Sequence, residues 1–295
     1  MESILQTTIE RLRMHICEGV LAEQEAAELL TFVTGRTRDQ IQRKDFILNT
    51  TETNHLNNLI ERRLRHEPLA YLLGTAYFLG RKFIVTPDVL VPRPATEIIV
   101  TKLITDQRDQ DTIIIDVGTG SGCAAISIAL ELPLTTVIAT DSSVEALTVA
   151  RTNAELLTAI NKVQFLTCDL LPDRQTLPAD LKLLITDRRA VIFANLPYIP
   201  TTDMSQLAPD VRDFEPHLAL DGGVDGLDLY RQLFEQLAAR PHSSIRPRSL
   251  YLEALPAQLD QLENLAKEKL PILTTKKIYA DSANQLPIGL ILHIT

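Results

Sequence analysis

Cysteine is scarce and unpatterned in this sequence: three residues, Cys17, Cys123 and Cys168, with no CxxC and no histidine at metal-ligand spacing. That argues against a disulfide framework, and no metal site is expected. An odd, scattered set suits a reducing cytosol in which each thiol is a small buried hydrophobe. No apolar run approaches the roughly 20 residues that span a bilayer, so no membrane association is expected. The opening stretch, MESILQTTIERLRMH, mixes charges with apolar residues, and no signal peptide is read there. Basic charge is also in deficit. Lys and Arg number 29 against 38 Asp and Glu, a net charge of −9, with a pI near 5.2. Proteins that bind phosphate backbones broadly carry a basic surface, so no direct nucleic-acid substrate is expected. Repeats and low-complexity tracts are missing too. These absences leave an ordinary globular protein of the cytoplasm.

What is present fits 295 residues with 45% hydrophobic and 23% charged content, enough for one large domain and a small one. Residues 1–75 read as a helical bundle. Ile4, Leu5, Ile9, Leu12 and Ile16 recur at helical spacing over 2–18 and stop at Gly19. Further helices fit 22–34, 38–46 and 53–66, with Pro68 after the last. Nine basic and eleven acidic residues give these 75 a charge of −2, so they are no nucleic-acid arm. Packing or docking of a macromolecular substrate both remain open for them. Residues 76–95 read as a hairpin, Tyr77–Leu79 and Lys82–Val85 around Gly80-Arg81, followed by a linker whose prolines bracket Arg93. By itself Arg93 reads as a solvated linker arginine.

From about 96 to 295 strands alternate with helices, the signature of a mostly parallel sheet covered on both faces. Strands are expected at 113–115, 135–140, 162–167, 191–194, 248–254, 274–280 and 287–294. Helices are expected from Thr96, from the glycine loop to about 131, over 143–158 with a Ser142/Glu145 capping box, and at 226–240 and 256–269. The stretch 170–189 fits strand or helix.

Two motifs carry chemistry. The first strand runs into Asp116, Val117, Gly118, Thr119, Gly120, Ser121 and Gly122. Glycines there let backbone approach a ligand and turn sharply into a helix. A dinucleotide fingerprint wants its third glycine at 123, where this chain has Cys123. Asp141, at the end of the next strand, is placed to accept from a ribose diol, and Asp169, after the third, to meet an adenine amino group. The bland alternatives are a helix cap for Asp141 and a turn carboxylate for Asp169. Without pyrophosphate spacing, the set points to S-adenosylmethionine over NAD.

The second motif is FANLPYIP, residues 193–200. An apolar run ending in Asn and Pro reads as a buried strand leaving the sheet, where ligands of open α/β sheets bind. Asn195 offers a side-chain oxygen to a planar NH2. The Leu196 carbonyl, before Pro197, is turned away from helical geometry and offers a second acceptor. Tyr198 offers a face for stacking. A strand ending in a Pro turn with a packed tyrosine is the plain alternative.

DVGTGSG followed by ANLPYIP resembles the class I methyltransferases that act on planar amino groups. The flanks EPLAYLLGTAYFLGRKFIVTPDVLVPRPATE (67–97) and FEPHLALDGGVDGLDLYRQL (214–233) are similar to the release factor glutamine methyltransferases, the HemK/PrmC family. The resemblance covers nearly the whole chain. It is strongest over 67–125 and 190–233, and weak after 250. It implies an α/β, Rossmann-like fold with a mostly parallel seven-stranded sheet, a small N-terminal helical bundle for substrate docking and a linking β-hairpin. It implies methyl transfer from S-adenosylmethionine to the glutamine side-chain amide of the GGQ tripeptide in peptide chain release factors. It implies cofactor binding by Gly118, Thr119, Gly120, Ser121, Gly122, Asp141, Asp169 and Asn195, substrate binding by Asn195, Leu196, Pro197, Tyr198 and Arg93, and catalysis by Asn195 and Tyr198. Leu196 stands where the family has its first proline, and Ala95 where it has Glu. The main alternative is an N6-adenine methyltransferase acting on RNA or DNA, since NLPY occurs among RNA adenine dimethyltransferases. A non-catalytic S-adenosylmethionine-binding module is a further one.

Overall fold

The chain builds two compact units, one of residues 1–75 with the segment 208–214, the other of residues 76–207 and 215–295. The computed structural model describes residues 3–14, 20–43, 46–172, 190–239, 247–280 and 286–294, together with Leu177, Ala179 and Lys182. Gly19, expected to stop the first helix, and the ambiguous LKLLIT run lie outside the described residues, apart from Lys182.

The first unit contains helices α1 (Ile4–Arg13), α2 (Val20–Thr34), α3 (Arg38–Gln42), α4 (Thr50–Leu64) and α5 (Leu69–Leu73). Their starts are written locally. Ser3 accepts from the Gln6 N–H, while Thr37 with Gln40 and Asn49 with Glu52 form reciprocal capping boxes. Leu12, Leu29, Leu30, Ile41, Leu59 and Ile60 pack as one core. Inside it Arg63 meets Glu25 through two hydrogen bonds, Nε to Oε2 at 2.8 Å and Nη2 to Oε1 at 3.0 Å, with both residues buried. The five residues of α5 give too short a periodicity to be read from sequence.

The second unit opens with a two-stranded sheet, β1 (Thr75–Phe78) and β2 (Arg81–Ile84). The turn sits one residue earlier than expected, at Leu79-Gly80, both left-handed with φ of 46° and 72°, as a two-residue hairpin turn demands.

The main sheet comprises β3 (Ile113–Val117), β4 (Thr136–Asp141), β5 (Val163–Thr167), β6 (Ala190–Ala194), β7 (Pro247–Glu253), β8 (Ile272–Tyr279) and β9 (Pro287–Ile294). Their order is β5-β4-β3-β6-β7-β9-β8. The first five pair in parallel, and β9 runs antiparallel to both β7 and β8. β3 and β6 are buried at every position, the pattern of strands covered on both faces. Alternation then assigns sides. Ile113, Ile115, Ile192, Leu250 and Leu252 pack with residues of α10 (Asp228–Ala238) and α11 (Leu259–Lys269). Ile114, Val191, Phe193 and Tyr251 pack with residues of α6 (Pro94–Gln107) and α7 (Cys123–Glu131).

Two starts differ from expectation. α6 begins at Pro94, not Thr96, because proline suits the first helical position, whose N–H is spare. The cap of α8 (Val144–Leu156) is Ser143, which accepts from the Ala146 N–H; Ser142 is not the cap. The four-residue α9 (Pro209–Arg212), between β6 and α10, was not anticipated.

Candidate active site

Strand order reverses between β3 and β6, and the C-terminal ends of β4, β3, β6 and β7 lie side by side. Such a switch point opens a crevice. Val117 is in register with Thr140 and with Ala194, and Ala194 with Leu252. The residues that follow, Gly118, Asp141, Asn195 and Glu253, therefore emerge along one edge.

A cavity of about 450 Å³ occupies that edge, within the roughly 300–1,000 Å³ of small-molecule sites. Gly118, Thr119, Gly120, Ser121, Asp141 and Asp169 line one part of it, and Arg93, Asn195, Leu196 and Pro197 another. Asp141 is held in place by backbone: Oδ2 accepts from Gly120 N and Oδ1 from Ser143 N, each at 2.9 Å. Burial raises its pKa, against the pull of those N–H groups. Beneath the loop, buried Asp116 accepts from the Thr119 hydroxyl at 2.6 Å and the Ala125 N–H at 3.1 Å. Desolvation raises its pKa to about 7, the two hydrogen bonds opposing the rise. Asn153 ties the same loop to the hairpin, bonding the Ser121 carbonyl and both backbone groups of Ile84.

Two residues from the sequence reading stand off the cavity wall. Gly122 is not part of the lining. A side chain there would meet the Ala150 Cβ at 3.0 Å, so this glycine lets the loop pack against α8. Tyr198 is also off the wall, packed against the core with its hydroxyl 3.5 Å from Glu253 Oε1. Arg93 is not a solvated linker residue: it caps α6 and its Nη2 pairs with buried Glu215, which also accepts from the Val91 N–H.

The clamp itself is built on β6. Asn195 Nδ2 donates to Thr96 Oγ1 at 3.0 Å, and the Thr96 hydroxyl donates to Glu253 Oε2 at 2.8 Å. A hydroxyl has one hydrogen, so Thr96 accepts from Asn195, and the amide oxygen of Asn195 is the group left for a ligand. Leu196 N donates to the Tyr230 hydroxyl at 3.3 Å, which in turn donates to the Glu253 carbonyl. Leu196 is 2% exposed, and its side chain covers Gly118, where an added Cβ would lie 3.2 Å from Cδ2. Among the described residues no donor reaches the Leu196 carbonyl. Behind the clamp the 222–226 turn presses backbone on backbone, and a Cβ at Gly226 would come 2.2 Å from the Tyr198 carbonyl oxygen.

Sequence reasoning missed Glu253, Thr96, Tyr230 and Glu215 as parts of this edge. One signal for Glu253 was legible: an acid closes the apolar run LYLE, as Asp116 and Asp141 close theirs. The rest depend on contacts 99 or more residues apart, or on a helix returning across the sheet.

Over residues 4–74 the chain matches the PrmC N-terminal domain, and over residues 93–213 the ribosomal protein L11 methyltransferase (PrmA) family. It is 35% identical over 270 residues to a release factor glutamine methyltransferase from Bradyrhizobium diazoefficiens, covering 90% of this chain and 85% of that one. The chain belongs to the release factor glutamine methyltransferase family. A relative of the same name from Geobacter sulfurreducens is 41% identical over 186 residues, which span 62% of this chain and 60% of its own length. The catalytic domain of hMettl16, solved in complex with MAT2A 3'UTR hairpin 1, superposes with a TM-score of 0.57 at 13% identity, over 90% of this chain and 91% of that one, a likeness in fold alone. The second unit is thus a class I S-adenosylmethionine-dependent methyltransferase fold, and S-adenosylmethionine is the cofactor. The residues present fit it. A glycine loop, a strand-end carboxylate at Asp141 and a cavity of suitable size stand together.

Proposed function

We propose that this protein transfers the methyl group of S-adenosylmethionine to the side-chain amide nitrogen of the glutamine in the GGQ motif of peptide chain release factors, in the cytoplasm. The observation that carries this is the clamp: the Asn195 amide oxygen and the Leu196 carbonyl are two acceptors at the cavity edge with no described donor of their own, the complement of one NH2 group. Family membership supplies the substrate.

The cofactor supplies an electrophilic methyl on a sulfonium. Gly118 to Ser121 would carry its chain, Asp141 its ribose hydroxyls and Asp169 its adenine amino group. Asn195 and Leu196 would hold both N–H bonds of the glutamine amide, leaving the nitrogen lone pair free to face the methyl. Such positioning is worth roughly 7–11 kcal/mol of barrier at best. The positive charge developing on nitrogen is stabilised by the same two dipoles. The proton leaves after methyl transfer, so no dedicated base is required. Tyr198, off the cavity wall and packed against the core, would support the clamp from behind rather than touch the amide. The bundle of residues 1–75, separate from the cofactor residues, docks the release factor.

The test is transfer of labelled methyl from S-adenosylmethionine to a release factor and, in parallel, to ribosomal RNA, with the modified residue located by mass spectrometry. Label on the GGQ glutamine supports the reading. Label on adenine instead, which the same clamp would hold by its exocyclic NH2, overturns it.

A further inference from the structure

The Asn195 amide is useful only one way round. With its oxygen toward the substrate it accepts from an NH2; turned over, it sets NH2 against NH2. Nothing in the Asn195 side chain itself chooses between the two, so the choice falls to the groups behind it. Those groups form a short chain across three elements. Asn195 follows β6, Thr96 lies in the first turn of α6, and Glu253 ends β7, 2% exposed. The links are 3.0 Å and 2.8 Å.

We propose, building on the methyl-transfer reading above, that Glu253 is a positioning residue which, through the Thr96 hydroxyl, sets the orientation of the Asn195 amide and makes methyl transfer conditional on Glu253 being ionised. As a carboxylate, Glu253 accepts only. Thr96 must then give its hydrogen to Glu253 and take one from Asn195 Nδ2, which leaves the amide oxygen facing the substrate. As a carboxylic acid, Glu253 carries a hydrogen that it gives to Thr96. The hydroxyl then turns its own hydrogen toward Asn195, which satisfies it by presenting oxygen inward and NH2 outward. The clamp is reversed and the substrate amide is repelled.

The surroundings allow both states. Burial drives the Glu253 pKa up to about 7, while hydrogen bonds from Thr96, Tyr198 and Asn195 and the charge of Arg93 hold it back. Arg93, ahead of α6, is itself tied to Glu215, so it does not form a full ion pair with Glu253. The Tyr198 hydroxyl faces Oε1 at 3.5 Å, and burial keeps that phenol protonated, its own pKa raised. Tyr230, from α10, reaches Glu253 through its backbone carbonyl, and its pKa is also raised, chiefly by burial and further by the Glu253 charge. Arg93, Tyr198 and Tyr230 are the ionisable groups that face Glu253 among the described residues.

The experiment uses the full chain and reads the pH profile of kcat together with the side-chain amide 15N resonance of Asn195 in the cofactor-free protein. Wild type is expected to lose activity about tenfold per pH unit below about 7, with the Asn195 resonance shifting at the same midpoint. In Glu253→Gln the Gln oxygen still accepts from Thr96 and nothing titrates. That variant should keep kcat within tenfold of the wild-type plateau, lose the acidic limb and lose the resonance shift. Thr96→Val, of the same shape but without the hydroxyl, should lower kcat at least tenfold at every pH with cofactor affinity unchanged, and Thr96→Ser should restore it. An acidic limb that persists in Glu253→Gln, or a Thr96→Val variant within twofold of wild type, overturns the proposal. The resonance titration needs no substrate, so it decides the relay even if the methyl acceptor proves to be another NH2 group.

Discussion

Asp141 and Leu196 show how single residues carry two duties at the cavity. The carboxylate of Asp141 already accepts from Gly120 N and Ser143 N, so it both shapes the glycine loop and faces the space assigned to the ribose. Asp141→Ala is expected to weaken S-adenosylmethionine binding by about 1.5–3 kcal/mol, the value of a hydrogen bond to a charged group. Calorimetry on both proteins checks it, and equal affinity would remove Asp141 from the cofactor site. Leu196 stands where the motif resemblance implies a proline. Its N–H bonds Tyr230 and its side chain covers Gly118, contacts a proline cannot both keep. Leu196→Pro is therefore expected to hold kcat/KM within about tenfold, because the carbonyl is still offered, yet to lose roughly 1–3 kcal/mol of stability from the lost bond and buried methyls. Denaturant unfolding and initial rates separate the two effects. Inactivation without destabilisation would mean that the clamp backbone needs the leucine.

At the scale of elements, the strands were legible, and of the short helices only α3 was. β3 and β6 are buried on both faces, so their apolar runs IIIDV and AVIFA declare themselves without alternation. α5, α9 and the turns over 201–219 span two turns at most and lack a period to read. The same contrast holds in the site. Gly118, Asp141 and Asn195 each follow a strand and were found from local pattern. Glu253 shows locally only as the acid closing LYLE; its meaning comes from the register that sets Leu252 beside Ala194, across 58 residues. The bundle helices carry a cost of their own. The Arg63–Glu25 pair is buried and doubly hydrogen-bonded, so Arg63→Ala strands a carboxylate in the core and is expected to destabilise the bundle by about 3–5 kcal/mol. Thermal unfolding of the whole chain reads this as an earlier loss of helical signal, whereas a loss under 1 kcal/mol would mean that water reaches Glu25.

For the molecule as a whole, the active edge is held at the expense of stability. Glu253 is raised from 4.5 to about 7. The folded state therefore holds a proton that the unfolded chain releases above pH 4.5. Its contribution to stability is fully present below that pH and is lost as pH rises through about 7. Glu253→Gln has no such group. It is expected to match wild type near pH 4.5 and to become the more stable protein by up to about 3 kcal/mol at pH 8. Unfolding curves of both proteins across that range check the sign, and a gap that narrows toward pH 8 would mean that Glu253 is ionised and satisfied throughout. A site kept polar and buried against its own stability is what a positioning role requires.

The claim on which the account turns is that Asn195 holds a glutamine amide for methylation. Single-turnover methylation of an intact release factor, with cofactor bound and the product peptide sequenced by mass spectrometry, tests it in wild type and Asn195→Ala. One methyl group on the GGQ glutamine is expected in wild type, with a rate about 10²–10³ lower in the variant, as for loss of one oriented dipole, and cofactor affinity within a few-fold. A variant that methylates the same glutamine at the wild-type rate would contradict it.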